Sequence, residues 1–530
     1  MLHTFLQYII LILIILSLVM LGEKLKVAYP IVLVLGGLVL SFYPGVHAIT
    51  IDPELIFVIF LPPLLYEAAW YTSWKDLWRW RRVISSFAVL IVIVTSLVIA
   101  LVSSSLIPGF SLALGFLLGG IVSPPDAVSA TSVLKYVKVP KRLSAILEGE
   151  SLLNDASSLI IFRFALIAVD TGRFVFHEAA LSFVLVIVMG IFIGIAIGVL
   201  YYFVHRWLPT STNMDVVLSL TTPYLMYITA ESFHVSGVLA VVSGGLFLSS
   251  RSHLFLSYKS RLRGANVWST LGFVLNGLVF MLIGLELPVI VKQLGSVSVE
   301  KAIGYGVIIT AVLIVGRIIC TLGTSVFTVF ISRYITTADN RPGWKGPLII
   351  GWAGMRGVVS LAAALSIPLY LDNGKAFPQR DMILFITFVV ILLTLVVQGL
   401  TMPSLVRWVK MEDPDHLPPP GEQERQLRLR LAELSLDIID GQYGDKVQGS
   451  KRLQQLRARF EEDLAGRNRS LNYNEAYHHV YLRILDEQRA LLHDLNRGFE
   501  TSEEVVRKYL LLLDLEEEKL QMHFLQEGDE

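Results

Sequence analysis

The chain is built from repeated blocks of about twenty apolar residues with few or no charges, a length that crosses the hydrocarbon core of a bilayer as one helix. Clear examples are 5–22, 83–105, 181–203 and 302–331. A soluble protein would instead spread its apolar residues at helical or strand spacing. With 54% hydrophobic and 17% charged residues among 530, the sequence predicts an all-α polytopic membrane protein.

The apolar blocks and their flanks predict about thirteen membrane helices. They lie near 4–22, 25–42, 54–70, 83–106, 111–134, 144–169, 180–204, 215–231, 236–250, 267–291, 302–331, 347–370 and 381–409. Basic residues cluster in alternate loops, whereas loops such as 43–53, 107–110 and 232–235 carry none. This alternation follows the positive-inside rule, which places the N-terminus outside and the C-terminus in the cytoplasm. An odd number of helices satisfies it.

The basic clusters define the predicted cytoplasmic loops. They contain Lys24 and Lys26; Lys75, Arg79, Arg81 and Arg82; Lys135, Lys138, Lys141 and Arg142; Arg251, Lys259, Arg261 and Arg263; and Arg333, Arg341 and Lys345. The stretch 71–82, which includes the second of these clusters, also contains three tryptophans, and this is typical of an anchor at the membrane interface.

The composition changes near residue 410. We expect a membrane domain over 1–410, a proline-rich linker over 411–421 and a cytoplasmic helical domain over 422–530. Apolar residues at helical spacing in that last domain, from Leu427 to Ile438, favour a hairpin or a coiled coil. Its charges are typical of a solvated face, and a regulatory or partner-binding role is the alternative.

Two membrane segments are expected to be interrupted helices. In GGIVSPPDAVSATSVL, Pro124 and Pro125 remove backbone donors next to Asp126, so the helix should break there. In GWAGMRGVVSLAAALSIP, glycines surround Arg356. One interrupted helix in each half indicates two inverted repeats with a site at the midplane, where the breaks cross. Asp126 and Arg356 would then compensate the positive and negative helix ends.

A third segment, EGESLLNDASSLIIF, carries polar residues four apart, so that Glu150 projects with Asn154, and Ser151 with Asp155. A buried carboxylate such as Asp155 can hold a proton or a cation in turn, since burial raises its pKa and a cation lowers it. Ser151, Asn154 and the Pro125 carbonyl offer the oxygens that hard cations prefer. We therefore expect a site for a hard monovalent cation at Asp155, with Ser151 among the neighbouring oxygens.

The other charges near this segment have structural interpretations. No second acid adjoins Asp155, so one proton should be exchanged for one monovalent cation in each cycle. Such an exchange moves no net charge and is electroneutral. Glu150 is expected to form a buried ion pair with Arg317, the one charge in 302–331. Arg163 is assigned no transport role. Three acids near helix ends favour structural pairing or vestibule lining over ion binding: Glu67, Glu231 and Glu286.

Composition gives no sign of nucleic-acid binding, thiol chemistry or a cofactor. The formal net charge of zero gives no nucleic-acid footprint. Cys320, the single cysteine, lies in an apolar stretch and is expected to be a packing residue. No cofactor and no enzymatic activity are expected, and the environment is the lipid bilayer.

At these motifs the sequence resembles the sodium/proton exchanger family of monovalent cation/proton antiporters, in its bacterial branch. EGESLLNDASSL resembles the family signature around the ion-binding Asn-Asp pair, FLPPLLYEAAW its third-helix motif, GWAGMRGVVSLA its arginine-bearing broken helix, and VGRII the helix whose arginine pairs with the glutamate matched by Glu150. The resemblance covers about 5–410.

The resemblance implies a homodimer in a bacterial inner membrane, with a moving core domain and elevator-like alternating access. It implies Asp155 as the exchanged carboxylate, Ser151 as a ligand and Asn154 as its support. It also implies the remaining site residues: an ion pair of Glu150 with Arg317, and Asp126 and Arg356 as helix-end compensators. One departure is SPPDAV, where many relatives have an Asp-Pro order, so a threonine-type side-chain ligand is missing.

The sequence leaves open functions other than exchange of sodium or lithium for protons. Potassium/proton exchange would use the same carboxylate. A cation channel would need a filter loop or a repeated-arginine sensor, which the sequence does not resemble. An intramembrane aspartyl protease would use Asp126 and Asp155 as a dyad, but an Asn adjoins Asp155 and no GxGD motif is present.

Overall fold

The computed structural model describes residues 2–42, 58–135, 137, 139–172, 176–294, 298–331, 343–411, 420–465, 475–497 and 512–520. Within these ranges the regular structure is helical, apart from one isolated bridge between Tyr370 and Ala376. The chain divides into two compact units, Met1–Asp413 and Pro414–Glu530. That boundary lies inside the segment expected to be a linker.

The first unit contains sixteen helices among its described residues. They are α1 (Leu2–Leu25), α2 (Tyr29–Leu40), α3 (Leu61–Tyr71), α4 (Trp74–Leu106), α5 (Leu112–Val122), α6 (Ala127–Leu134), α7 (Lys141–Thr171), α8 (Phe176–Trp207), α9 (Thr212–Ser232), α10 (Gly237–Phe255), α11 (Tyr258–Leu285), α12 (Leu287–Gln293), α13 (Val299–Ile331), α14 (Lys345–Trp352), α15 (Val358–Leu365) and α16 (Arg380–Val409). Two of them contain a π-helical turn, α4 at Ser86–Ile91 and α16 at Thr394–Gln398.

Every predicted membrane segment overlaps one or two of these helices. Among the described residues, eight helical spans are long and apolar enough to cross a membrane. The all-α polytopic fold is therefore confirmed. Some predicted features lie outside the described residues: the outer loop at 43–53, Lys138, and the basic positions Arg333 and Arg341.

The helix that carries the third polar segment is long and has clear ends. α7 follows Pro140 and extends over 31 residues, which at 1.5 Å per residue is about 46 Å. It ends at Gly172, whose φ of 67° lies in the left-handed region that favours glycine at a helix C-terminus. One helix is therefore long enough to carry polar groups across the whole hydrocarbon core.

Each interrupted segment is held against a long helix by close backbone contact. A Cβ atom on Gly119 of α5 would lie 2.6 Å from the Ser96 carbonyl oxygen of α4. A Cβ atom on Gly351 of α14 would lie 2.7 Å from Thr321 Oγ1 of α13. Glycines that let two helices approach this closely are typical of helix packing in membranes. They hold the helix breaks in place within the bundle.

The second unit contains α17 (Pro420–Gly449), α18 (Lys451–Leu464) and α19 (Glu475–Arg497). Arg457 of α18 pairs with Asp440 of α17 at 2.8 Å and with Glu461 at 2.6 Å. The apolar side chains of Leu431 and Leu434, which repeat at helical spacing, are 53% and 57% exposed.

Candidate cation-binding site

The first helix break lies between α5 and α6, where Pro124 and Pro125 separate the two halves. Asp126 caps the second half: its Oδ1 accepts a hydrogen bond from Val128 N at 3.0 Å, and Ser129 Oγ donates to Oδ2 at 2.5 Å. A carboxylate at a helix N-terminus satisfies free backbone donors there and complements the positive end of the helix dipole.

The second break, between α14 and α15, crosses the first. The backbone N–H of Asp126 donates to the Met355 carbonyl oxygen at 2.7 Å. A Cβ atom on Gly357, the residue before α15, would lie 2.6 Å from the Asp126 carboxyl carbon. The carboxylate of Asp126 therefore lies at the N-termini of two half-helices, α6 and α15.

Arg356 occupies the complementary position. It is fully buried, and its guanidinium donates from Nε to Val122 O at 2.7 Å and from Nη2 to Ser123 O at 3.0 Å, while Nη1 bonds the Gly354 carbonyl oxygen. These carbonyls end α5 and follow α14, so the guanidinium lies at two negative helix ends. The backbone N–H of Arg356 donates to Thr394 Oγ1 at 3.2 Å.

Helix α7 presents two polar faces to this crossing. On one face, Asn154 Nδ2 donates to the Pro125 carbonyl oxygen at 3.0 Å. On the other, Ser151 Oγ accepts from the backbone N–H of Ala127 at 3.1 Å, and Asp155, 7% exposed, lines the adjacent cavity. Asn154 and Ser151 therefore form hydrogen bonds with the backbone at the break between α5 and α6, and Asp155 faces the cavity beside this break.

Glu150 and Arg317 form a buried pair between α7 and α13. The two guanidinium nitrogens Nη1 and Nη2 lie 2.8 and 2.9 Å from Oε1 and Oε2, and the side chains are 0% and 1% exposed. Paired geometry of this kind offsets part of the cost of removing both charges from water. The carboxylate of Glu150 is therefore engaged, unlike that of Asp155.

A cavity of about 470 Å³ connects Asp155 with the surface. Around Asp155 its wall includes Ser151, Pro125 and Asp126, and its far end includes the exposed residues Tyr71 and Lys135. Within α7, which the structure describes completely, only residues between Glu148 and Asp155 line it. Asp155 therefore lines a cavity whose wall also contains the exposed residues Tyr71 and Lys135.

Among the polar residues of this wall, Asn276 was not identified as a site residue from the sequence. Asn276 of α11 lines the cavity and is 9% exposed. It is the one amide within the apolar run 271–285, which is the signal that could have found it. Glu67 of α3 also lines the cavity, as expected of a vestibule acid, and its carboxylate lies against Gly272.

The remaining sequence candidates lie away from the cavity. Arg163 donates to the His234 carbonyl oxygen at 3.2 Å and lies 3.9 Å from Glu231, with both side chains about two-fifths exposed. Glu286 lies at the junction of α11 and α12. Among the described residues, no group of three Cys, His, Asp or Glu side chains could hold a metal ion together.

Comparison with known proteins agrees with this geometry. A family profile described as sodium/hydrogen exchanger, transmembrane, matches residues 9–408. An uncharacterised Na⁺/H⁺ exchanger of Mycobacterium tuberculosis is 30% identical over 522 residues, covering 94% of this chain and 93% of that protein. A sodium, potassium, lithium and rubidium/H⁺ antiporter of Bacillus subtilis is 35% identical over 383 residues, covering 70% of this chain and 56% of that protein.

A solved structure shows the same fold. The sodium proton antiporter MjNhaP1 of Methanocaldococcus jannaschii superposes with a TM-score of 0.60 at 19% identity, covering 79% of this chain and 100% of that one. The family profile spans most of the chain, from α1 to the end of α16. The resemblance expected from the motifs is confirmed: the chain belongs to the sodium/hydrogen exchanger family of membrane cation/proton antiporters.

Proposed function

We propose that the protein exchanges Na⁺ or Li⁺ for H⁺ across a bacterial inner membrane, and that Asp155 holds the proton and the cation in turn. The observation that carries this proposal is the position of Asp155. Its carboxylate faces the cavity beside the crossed helix breaks, while the neighbouring acids Asp126 and Glu150 bond helix ends and an arginine. Asp155 is thus the acid left to bind cargo.

The balance of charge around the crossing supports electroneutral exchange. Asp126 and Arg356 carry opposite charges at the helix ends, and Glu150 and Arg317 neutralise each other. Among these five groups, Asp155 is then the one whose negative charge must be neutralised by the transported proton or cation. Because one bound proton or one monovalent cation neutralises one carboxylate, the arrangement favours one-for-one exchange.

The oxygens around Asp155 suit a hard cation. Ser151 Oγ and the Pro125 carbonyl each accept one hydrogen bond and keep a lone pair for a ligand. Asn154 supports the Pro125 carbonyl by donating to it. Na⁺ would therefore be held by Asp155, Ser151 and the carbonyl of Pro125, without the threonine hydroxyl that many relatives place at the break.

The cavity and the expected topology support access to the site from one side at a time. The far end of the cavity, at Tyr71 and Lys135, flanks loops that the positive-inside rule assigns to the cytoplasm. With the N-terminus outside and the C-terminus inside, this arrangement is the inward-facing one. Exchange then requires an alternating-access movement that exposes Asp155 to the other side, in a homodimer as the family resemblance implies.

A second candidate is K⁺/H⁺ exchange at the same carboxylate. The observation that favours it is the name of the Bacillus subtilis relative, which includes potassium and rubidium. Cation channel activity fits less well, since the sequence resembles neither a filter loop nor a repeated-arginine sensor. The cytoplasmic unit at 422–530 is proposed to be a regulatory domain.

The test is dissipation of a pH gradient by added cation in everted membrane vesicles from a host that lacks its own antiporters. The parent protein is compared with Asp155→Asn, and with Asp437→Asn in α17 as a matched control, using Na⁺, Li⁺ and K⁺ separately. The proposal predicts a response for the parent and the control and none for Asp155→Asn at equal expression. An equal response from Asp155→Asn would place the exchange site elsewhere.

A further inference from the structure

The first turns of α4 extend beyond the hydrocarbon core. α4 has 33 residues, about 50 Å at 1.5 Å per residue, against a core of about 30 Å. Its first twelve residues, Trp74–Ser85, precede the most apolar part of the helix and lie on the side assigned to the cytoplasm. We call this stretch the entry segment of α4. It therefore lies at the level of the lipid headgroups.

The outer face of the entry segment combines aromatic and basic side chains. Trp74 and Trp78 are 53% and 58% exposed, and their rings stack with centroids 6.0 Å apart. The guanidinium of Arg81 lies 4.5 Å from the Trp78 ring centroid and donates to the Trp78 carbonyl oxygen at 2.6 Å. Lys75, Arg79 and Arg82 are also exposed, against one acid, Asp76. The surface is therefore strongly cationic and partly apolar.

The inner face of the same segment packs on the ion-site helix. A Cβ atom on Gly149 of α7 would lie 2.6 Å from Ile84 Cδ1 and 2.7 Å from Leu77 Cδ2. Gly149 directly precedes Glu150, and Asp155 follows less than two turns later. Because packed interfaces of this kind transmit displacements, a ligand that fixes the entry segment also fixes the start of α7.

From these two faces we infer that the entry segment binds the headgroup of an anionic phospholipid of the cytoplasmic leaflet, and that the bound lipid positions α7 for exchange. Clusters of four or more Lys and Arg next to a membrane helix attract anionic lipids. A guanidinium matches a phosphate in geometry, and exposed tryptophans occupy the headgroup layer. The effect on exchange rests on the proposed function, whereas the binding does not.

The test uses the full-length protein reconstituted in phosphatidylcholine vesicles with increasing phosphatidylglycerol. Lipid retention is read by native mass spectrometry and exchange by cation-driven proton flux. The variant Lys75→Gln/Arg81→Gln removes two charges of the entry segment. The control Lys259→Gln/Arg261→Gln removes two charges from the start of α11, which is also assigned to the cytoplasm and does not pack on Gly149.

The expected result is phosphatidylglycerol retention and faster exchange for the parent and the control. In the Lys75→Gln/Arg81→Gln variant, the affinity for phosphatidylglycerol should fall about 25-fold, since each of the two basic groups near an anionic surface is worth about a fivefold change in affinity. Equal losses in both double variants would overturn the inference, because they would report surface charge alone. Exchange without lipid retention would also overturn it.

Failure of the inference can be told apart from failure of the proposed function. If the parent exchanges cations in pure phosphatidylcholine and phosphatidylglycerol changes neither retention nor rate, the lipid site is wrong and the exchange proposal stands. If no vesicle shows exchange but the parent retains phosphatidylglycerol and the Lys75→Gln/Arg81→Gln variant does not, the lipid site stands and the exchange proposal is wrong.

Discussion

At the scale of residues, the crossing depends on one carboxylate that serves two helix ends. Asp126 caps α6 through Val128 N and Ser129 Oγ, and it also approaches the start of α15 at Gly357. The contact between the Asp126 carboxylate and the start of α15 needs a glycine at position 357, because a side chain there would occupy the space of the carboxylate. Gly357 has a φ of −139°, so the requirement is one of space and not of backbone conformation.

Gly357→Ala tests this close approach. The added Cβ atom would lie 2.6 Å from the Asp126 carboxyl carbon, so the carboxylate or α15 must shift. Overpacking of this kind costs about 1–3 kcal/mol, and the displaced crossing should lower the exchange rate. The control is Gly304→Ala in α13, where a Cβ atom would contact nothing within 4 Å. Thermal unfolding and exchange rate that match between the two variants would contradict this account.

Sequence reasoning could identify residues at this scale because a buried charge is conspicuous in an apolar span. Asp126, Asp155 and Arg356 were therefore visible as candidates. The approach of Asp126 to Gly357 was not, since it depends on how two distant breaks cross. Asn276 was missed because a neutral amide costs less to bury than a charge and is therefore a weaker signal, and because helical periodicity does not tell which face meets a cavity.

At the scale of elements, the ion pair of Glu150 with Arg317 connects α7 to α13. Both side chains are buried, so each charge depends on the other for compensation. Within the described residues, the guanidinium of the nearby Arg356 donates its hydrogen bonds to three backbone carbonyl oxygens and to no carboxylate. Loss of Glu150 would therefore leave two cations in the crossing.

Glu150→Gln should destabilise the protein by about 3–5 kcal/mol, because it leaves the Arg317 guanidinium buried without a counter-charge. The double variant Glu150→Leu/Arg317→Leu should recover much of this loss, since apolar replacement of a buried pair is often tolerated. Thermal unfolding in detergent measures both. As a control, Arg457→Gln breaks an exposed pair of the second unit and should change little. A double variant no more stable than Glu150→Gln would contradict the argument.

At the scale of the whole molecule, the membrane unit, Met1–Asp413, and the second unit, Pro414–Glu530, are each compact. The helical segments of the membrane unit could be predicted because length, apolarity and loop charge are strong local signals. Their arrangement could not, since the contacts that bring residues 126 and 356 together join segments more than two hundred residues apart. The second unit lacks such signals, and its sequence predicted little beyond helices.

Deleting 422–530 should shift the pH profile or the rate of exchange but leave exchange itself intact, because the cavity and every site residue lie before residue 410.

One ion pair of this second unit, between Arg457 and Asp440, changes its charge state only at acidic pH. A hydrogen bond from Arg457 holds the pKa of the Asp440 carboxyl below its ordinary value, so that pair is present above the ordinary pKa and is lost as the pH falls through the lowered one.

The vesicle assay used for the proposed function also measures the truncated chain, with membrane insertion checked by protease protection. A change in the pH at which exchange is half-maximal would agree with a regulatory role for 422–530. Complete loss of exchange in a normally inserted truncation would contradict it.

The central claim is competition between one proton and one cation for Asp155, and proton release on cation binding tests it most directly. Titration of the purified protein with Na⁺ and Li⁺ in weakly buffered solution counts the protons displaced per bound ion. The account predicts about one proton per ion near the pH of half-maximal exchange, and none for Asp155→Asn. Proton release that persists in Asp155→Asn, or that is absent in the parent while the cation binds, would contradict it.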